Sequence, residues 1–203
     1  MELREALRRR RMVRDFTPEP LERAAVEALS RSLLRGPSAG NTGGLDVVVL
    51  HGPVETARYW DASLPVSERP RFPWPGLLRA PLVIVLVVDE AAYRARYAEA
   101  DKARRGAGAA STPAEGPWSV PWWYVDAGAA AGLALLTAVD LGLGALLFAV
   151  ARPAAVGRSL GIPGDRQAVA ALAVGHPGPD DRPASSGRRP ARPPAERLHG
   201  GGW

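Results

Sequence analysis

Arg8, Arg9, Arg10 and Arg11 stand in a row near the start of the chain, and Arg14 follows. A guanidinium offers a planar fork of donors and keeps its charge at any ordinary pH. At this spacing several guanidiniums can turn toward one anion; the same run also suits a solvated, basic helix end. A second stretch, Pro37-Ser38-Ala39-Gly40-Asn41, combines small residues with one hydroxyl and one amide. It can bring the backbone close to a flat ligand and hydrogen-bond it, or serve as an ordinary turn between a helix and a strand.

Other chemistries lack their residues. There is no cysteine, so disulfides, thiolate nucleophiles and cysteine-held zinc or iron are excluded. His51, His176 and His199 fall in separate segments with no metal-ligand spacing, so no metal site is expected. Ser38 has no evident base, which argues against a hydrolase. Gly142-Leu143-Gly144 lacks the third glycine of a dinucleotide fingerprint and opens a strand rather than a helix. Of the 26 basic residues only Lys102 is lysine, leaving 25 arginines, and the net charge is +5. That Arg-, Ala-, Gly- and Pro-rich balance is typical of a GC-rich genome, so no nucleic-acid partner is inferred from it. The start, MELREALRRRR, has no apolar segment behind it and reads as neither a secretory signal nor a membrane anchor. A cytoplasmic protein is expected.

The elements that position these residues are organised around Pro121 to Val150. Its Ala-, Gly- and Leu-rich first part reads as a helix buried on nearly all sides, whose small residues suit packing against a second copy. The run between Asp126 and Asp140 falls short of the ~20 residues a bilayer needs. After Gly142 and Gly144, ALLFAV reads as a buried strand. Upstream, Glu2 to Arg9 reads as a short helix. Thr17 is expected to cap a second one, begun by Pro18 and Pro20, buried through Leu21, Ala25, Leu29 and Leu33, and ended at Gly36. Strands are expected at LDVVVL ending at Leu50, at Pro81 to Val88, and at VAALAVGHP. Further helices are expected around Val54 to Trp60, Ala91 to Ala100 and Pro153 to Leu160. Residues 103–117 form either a mobile lid or a plain surface connection. The tail is too polar to make a core and is either disordered or an arm laid on a partner.

The order RRRMVRDF, PSAGN before a strand, a small-residue helix ending GLGALLFAV, LGIP, AVGHP and an Arg-Pro tail resembles the flavin-dependent nitroreductase family over nearly the whole chain. The resemblance rests on the order and spacing of these pieces together, most closely in the versions found in high-GC actinobacteria. It implies an α+β sandwich, a central mixed sheet flanked by helices, in an intertwined homodimer with an FMN in each of two interface clefts. Residues 1–177 would form the FMN-binding domain and residues 178–203 an arm embracing the partner.

Carried onto this chain, the resemblance implies that Arg10 and Arg11, beside Met12, grip the FMN phosphate and that Arg14 faces the pyrimidine edge. Pro37, Ser38, Ala39 and Asn41 would reach the flavin from the other subunit. Phe148 and Ala149 would lie along the isoalloxazine, and Arg189 or Arg192 would complete the phosphate site. The expected reaction is ping-pong hydride transfer from NADH, NADPH or a reduced deazaflavin to a nitroaromatic, quinone or activated alkene. A biosynthetic dehydrogenase passing electrons to oxygen and a flavin-free binding protein are the alternatives. Trp74, Tyr97, Lys102, Trp118 and Trp122 are the candidate substrate contacts, aromatics able to stack a planar molecule. Two positions depart from the family: Met12 stands where serine is common, and Gly43 and Gly44 where glutamine is common.

Overall fold

The computed structural model describes residues 1–103, 120–185 and 189–202. Four strands, β1 (Leu45–His51), β2 (Leu82–Val88), β3 (Gly144–Phe148) and β4 (Gln167–Gly175), form one sheet in the order β1-β2-β4-β3. All neighbouring pairs are antiparallel. The parallel component expected of a mixed sheet is confined, among the described residues, to a bridge between Met12 and Ala145. Strand β2 is buried from end to end, as a run of seven apolar residues without alternation requires.

Alternation along β2 divides the core into two layers, because successive side chains leave opposite faces. Leu82, Ile84, Leu86 and Val88 pack with α2 (Arg23–Leu33), α4 (Glu90–Ala98) and α6 (Trp122–Asp140). Val83, Val85 and Val87 pack with Tyr59 and Trp60 of α3 (Pro53–Ser63) and Val156 of α7 (Pro153–Leu160). Two further short α-helices among the described residues are α1 (Leu3–Arg9) and α5 (Ala100–Ala103).

The second helix starts later than its prolines suggest. It begins at Arg23 after Glu22 and has no side-chain cap, so Thr17 does not cap it. Proline disfavours the helical conformation in the residue before it, so Thr17 and Glu19 are both biased toward extended backbone. The Thr17 amide instead donates to the His176 carbonyl at 3.0 Å. The helix stops at Leu33, and Gly36 lies against Ala130, where a Cβ would meet that residue's at 3.1 Å.

Helix α6 is 19 residues long and apolar enough in length and composition to cross a membrane, yet it packs into this core. Trp123, Ala127, Ala130, Ala131, Ala134 and Ala138 face inward, while Trp122, Val125 and Leu133 remain exposed. Burial is therefore one-sided within a single chain.

Candidate functional site

The structure sorts the residues singled out in the sequence into two groups on different elements. The first is built along β3. Residues 10–14 leave α1 and run beside that strand, with the Val13 amide donating to the Ala145 carbonyl at 3.0 Å. Gly144 permits this approach: a Cβ there would lie 2.7 Å from a Val13 methyl. Because the Met12–Ala145 bridge is parallel, the segment travels toward Phe148 and Ala149 at the far end of β3. An extended stretch from Arg10 to Arg14 spans roughly 13 Å.

The arginines of this segment are not equivalent. Arg10 is exposed at the end of α1 and makes no side-chain hydrogen bond or ion pair among the described residues. Arg11 is ion-paired with Asp181, whose carboxylate is buried. Arg14 is half-buried, gives one long hydrogen bond to the Met12 carbonyl at 3.3 Å, and stacks over the Trp74 indole. Met12 is half-buried and supplies the bridge to Ala145.

At the end of β3 the two expected flavin neighbours diverge, since alternate residues face opposite layers. The Phe148 ring is stacked on Trp60, with centroids 5.8 Å apart and planes 7° apart, so its ring belongs to the α3 layer. Leu147, Ala149 and Val150 line a cavity of about 530 Å³ on the α6 side, together with Ala127, Gly128 and Ala131. Tyr124 closes one edge of it by donating to the Gln167 side-chain oxygen at 2.6 Å.

The second group surrounds residues 37–41. Asp126, buried at 4 % exposure, accepts from the Ala39 amide at 2.8 Å and from the Tyr93 hydroxyl at 2.6 Å. Burial and the bond to Asp126 push the Tyr93 phenol above its ordinary range, which keeps it a donor. Gly40 and Asn41 adopt the left-handed conformation, and Arg96 Nε donates to the Gly40 carbonyl at 2.8 Å. The Ser38 hydroxyl accepts from the Gly43 amide at 2.9 Å. Tyr97 lies under Gly40, and Lys102 sits 5.8 Å from the Tyr97 ring. Arg96 grips both oxygens of Asp101, which holds that carboxyl down at about 2. Gly44 must be glycine here: a Cβ would lie 2.5 Å from the Tyr93 ring. Gly44→Ala is expected to displace Tyr93 from Asp126 and cost about 1–3 kcal/mol, read as a lower melting temperature.

Trp122 is exposed on the first turn of α6. Trp118 and all but the first residue of the proposed lid, residues 103–117, lie outside the described residues. Arg189 is exposed, and Arg192 donates to the Glu196 carbonyl at 2.7 Å; neither touches residues 10–14 among the described contacts. The start of the expected arm is held by its own subunit. Gly178 donates to the Asp15 carbonyl at 2.8 Å, and Asp181 accepts from the Arg14 amide at 2.8 Å.

Asp15, Asp126 and Asp181 were not assigned roles from sequence. Asp126 had a signal, a lone carboxylate inside an apolar helix, which must find donors to be buried. Asp181 had none, since its partners stand about 170 residues away.

The residues present fit an FMN. An unpaired guanidinium suits a phosphate, a second one stands further along β3, and the cavity of about 530 Å³ lined by Leu147, Ala149 and Val150 has the size and apolar lining of a small-ligand pocket. Residues 37–41 lie with α4 and α6 instead, tied to Asp126 and Arg96.

The Nitroreductase family profile matches residues 7–176. Comparison with curated proteins gives no match. Among solved structures, a nitroreductase family protein of Streptococcus pneumoniae is similar, with a TM-score of 0.72 at 17 % identity, over 98 % of this chain and 100 % of that one. An FMN-dependent nitroreductase of Clostridium difficile gives 0.65 at 17 % identity over 98 % of both chains. A structure from Parabacteroides distasonis, named as a candidate NADH dehydrogenase/NAD(P)H nitroreductase, gives 0.67 at 19 % identity over 99 % of this chain and 98 % of that one. With its sheet, its arginine segment and most of its length matched, the chain belongs to the Nitroreductase family.

Proposed function

We propose that this protein is an FMN-dependent oxidoreductase acting as a homodimer in the cytoplasm. The observation that carries the proposal is the segment from Arg10 to Arg14, which runs beside β3 from an unpaired guanidinium toward the end of the strand whose Leu147, with Ala149 and Val150 after it, lines an apolar cavity. A bound FMN would supply hydride chemistry between a reduced nicotinamide, NADH or NADPH, and a nitroaromatic, quinone or activated alkene. The names of the similar structures from Clostridium difficile and Parabacteroides distasonis support the cofactor and the nicotinamide donor.

The chain's own residues bind and orient. Arg10 holds the phosphate, with Arg189 or Arg192 of the tail joining it; Arg11 contributes less because Asp181 already neutralises it. Arg14 presents its free donors to the pyrimidine edge, where a fixed positive charge favours the reduced cofactor. Leu147, Ala149 and Val150 exclude water from one side of the ring. Ser38, Ala39 and Asn41 come from the second copy, held in shape by Asp126 of their own subunit.

Charge-assisted hydrogen bonds contribute roughly 1.5–3 kcal/mol each, so Arg10→Ala is expected to weaken FMN binding about tenfold to a hundredfold. Quenching of flavin fluorescence on titration into the apoprotein measures this. Unchanged affinity would remove Arg10 from the phosphate site.

A further inference from the structure

A second cleft, of about 390 Å³, opens around Trp74 and Arg14. Its walls carry the guanidiniums of Arg14, Arg79 and Arg182 and the carboxylates of Asp15 and Asp180. These charges are not equally available. Arg79 gives one hydrogen bond to Asp15 Oδ1 at 2.5 Å and another to the Phe16 carbonyl at 2.9 Å. Asp15 is buried and also accepts from the Asp180 amide at 3.1 Å. Asp180 keeps its carboxylate in water. Arg14 and Arg182, by contrast, both lie over the Trp74 indole, their guanidinium carbons 5.5 and 5.8 Å from the ring centroid. Arg182 makes no hydrogen bond or ion pair among the described residues.

The cleft is built rather than incidental. Pro73 and Pro75 flank Trp74, and its carbonyl accepts from Leu77 at 3.0 Å. Gly76 lets Asp15 sit under the turn, for a Cβ there would overlap its carboxylate at 1.6 Å. The Gly178 and Asp180 amides donate to Asp15, and the Asp181 carboxylate accepts from the Arg14 amide, which delivers Arg182 to the indole. Stacking on an aromatic face restrains a guanidinium while leaving its N–H edge free to bind.

We propose that this cleft takes an anionic group, a carboxylate or a phosphate, carried on a ligand of the oxidoreductase, and that Arg182 selects for it. The proposal rests on the flavin reading insofar as Arg14 also faces the cofactor; Arg182 is committed to nothing else. Two sources share this chemistry: the carboxylate of an aromatic acceptor, and the extra phosphate that distinguishes NADPH from NADH.

Calorimetric titration of the purified protein with matched probes tests it. Benzoate against benzamide reports on the acceptor, and 2′-phospho-ADP-ribose against ADP-ribose on the donor. Arg182→Gln is expected to weaken either benzoate or 2′-phospho-ADP-ribose about tenfold, with the matched probe that lacks the carboxylate or the 2′-phosphate changed less than twofold and Arg182→Lys restoring part of the loss. The charged probe affected identifies the source. Equal losses for the two members of a pair, or no loss for both benzoate and 2′-phospho-ADP-ribose, would overturn the proposal. The flavin absorbance of the same samples reports separately on the cofactor, so a colourless protein that still prefers the charged probe would sink the flavin reading and leave this one standing.

Discussion

A glutamate in place of Val125 or Leu133 is expected to leave the protein monomeric and unable to retain FMN. Both residues sit on the outward face of α6, 42 % and 38 % exposed in the single chain, with Trp122 at 42 % on the same face. Gly128 and Gly132 interleave with them, and a Cβ at either would meet nothing within 4 Å. A second helix can therefore approach the backbone closely there. Leu3 and Leu7 of α1, a helix that contacts α6, add exposed apolar area beside it. Obligate dimers bury on the order of 2,000 Å² or more of such surface in a core-like interface. A carboxylate placed inside it must be desolvated without a partner, at several kcal/mol. Sedimentation velocity at micromolar concentration measures the assembly and flavin absorbance the cofactor. A variant that stays a flavin-loaded dimer would move the interface elsewhere.

Asp126→Ala is expected to be the most destabilising single change in the candidate site. It strips the acceptor from the Ala39 amide and the Tyr93 hydroxyl at once, in a position 4 % exposed. Two charge-assisted bonds with both donors left unpaired correspond to about 3–5 kcal/mol. In a chain of this length that lowers the melting temperature by roughly 8–15 °C. Asp126→Asn keeps one acceptor oxygen and is expected to lose less than half as much. Since residues 37–41 hang from this carboxylate, Asp126→Ala should also weaken FMN in the opposite cleft of the dimer. A wild-type melting temperature in Asp126→Ala would show that the loop is held by something else.

The elements were legible where one signal dominated. The unbroken apolar run of β2, the small-residue α6 and the glycines after it need no knowledge of neighbours to be placed. Boundaries set by competing local terms were less so, as at Thr17, where proline's effect on the preceding residue outweighs a good capping hydroxyl. The site was legible as a list of positions and not as a network. Arg10, Arg11 and Arg14 look alike in sequence, and only the arrival of Asp181 and Trp74 from distant segments separates their roles. Phe148 shows the same limit: alternation puts it on one face of β3, but only the position of Trp60 shows that this face meets the α3 layer. Arg182 had no local mark at all, because its place beside Trp74 depends on hydrogen bonds of the Asp180 amide to Asp15 and of the Arg14 amide to Asp181.

The visible absorption spectrum of the purified protein, followed under anaerobic addition of NADH and then NADPH, tests the central claim most directly. The account predicts the two bands of an oxidised flavin at one FMN per chain, bleached by at least one of the two nucleotides and restored by an added quinone or nitroaromatic. A colourless protein that takes up no FMN when it is supplied, or a bound flavin that neither nucleotide reduces, would contradict it.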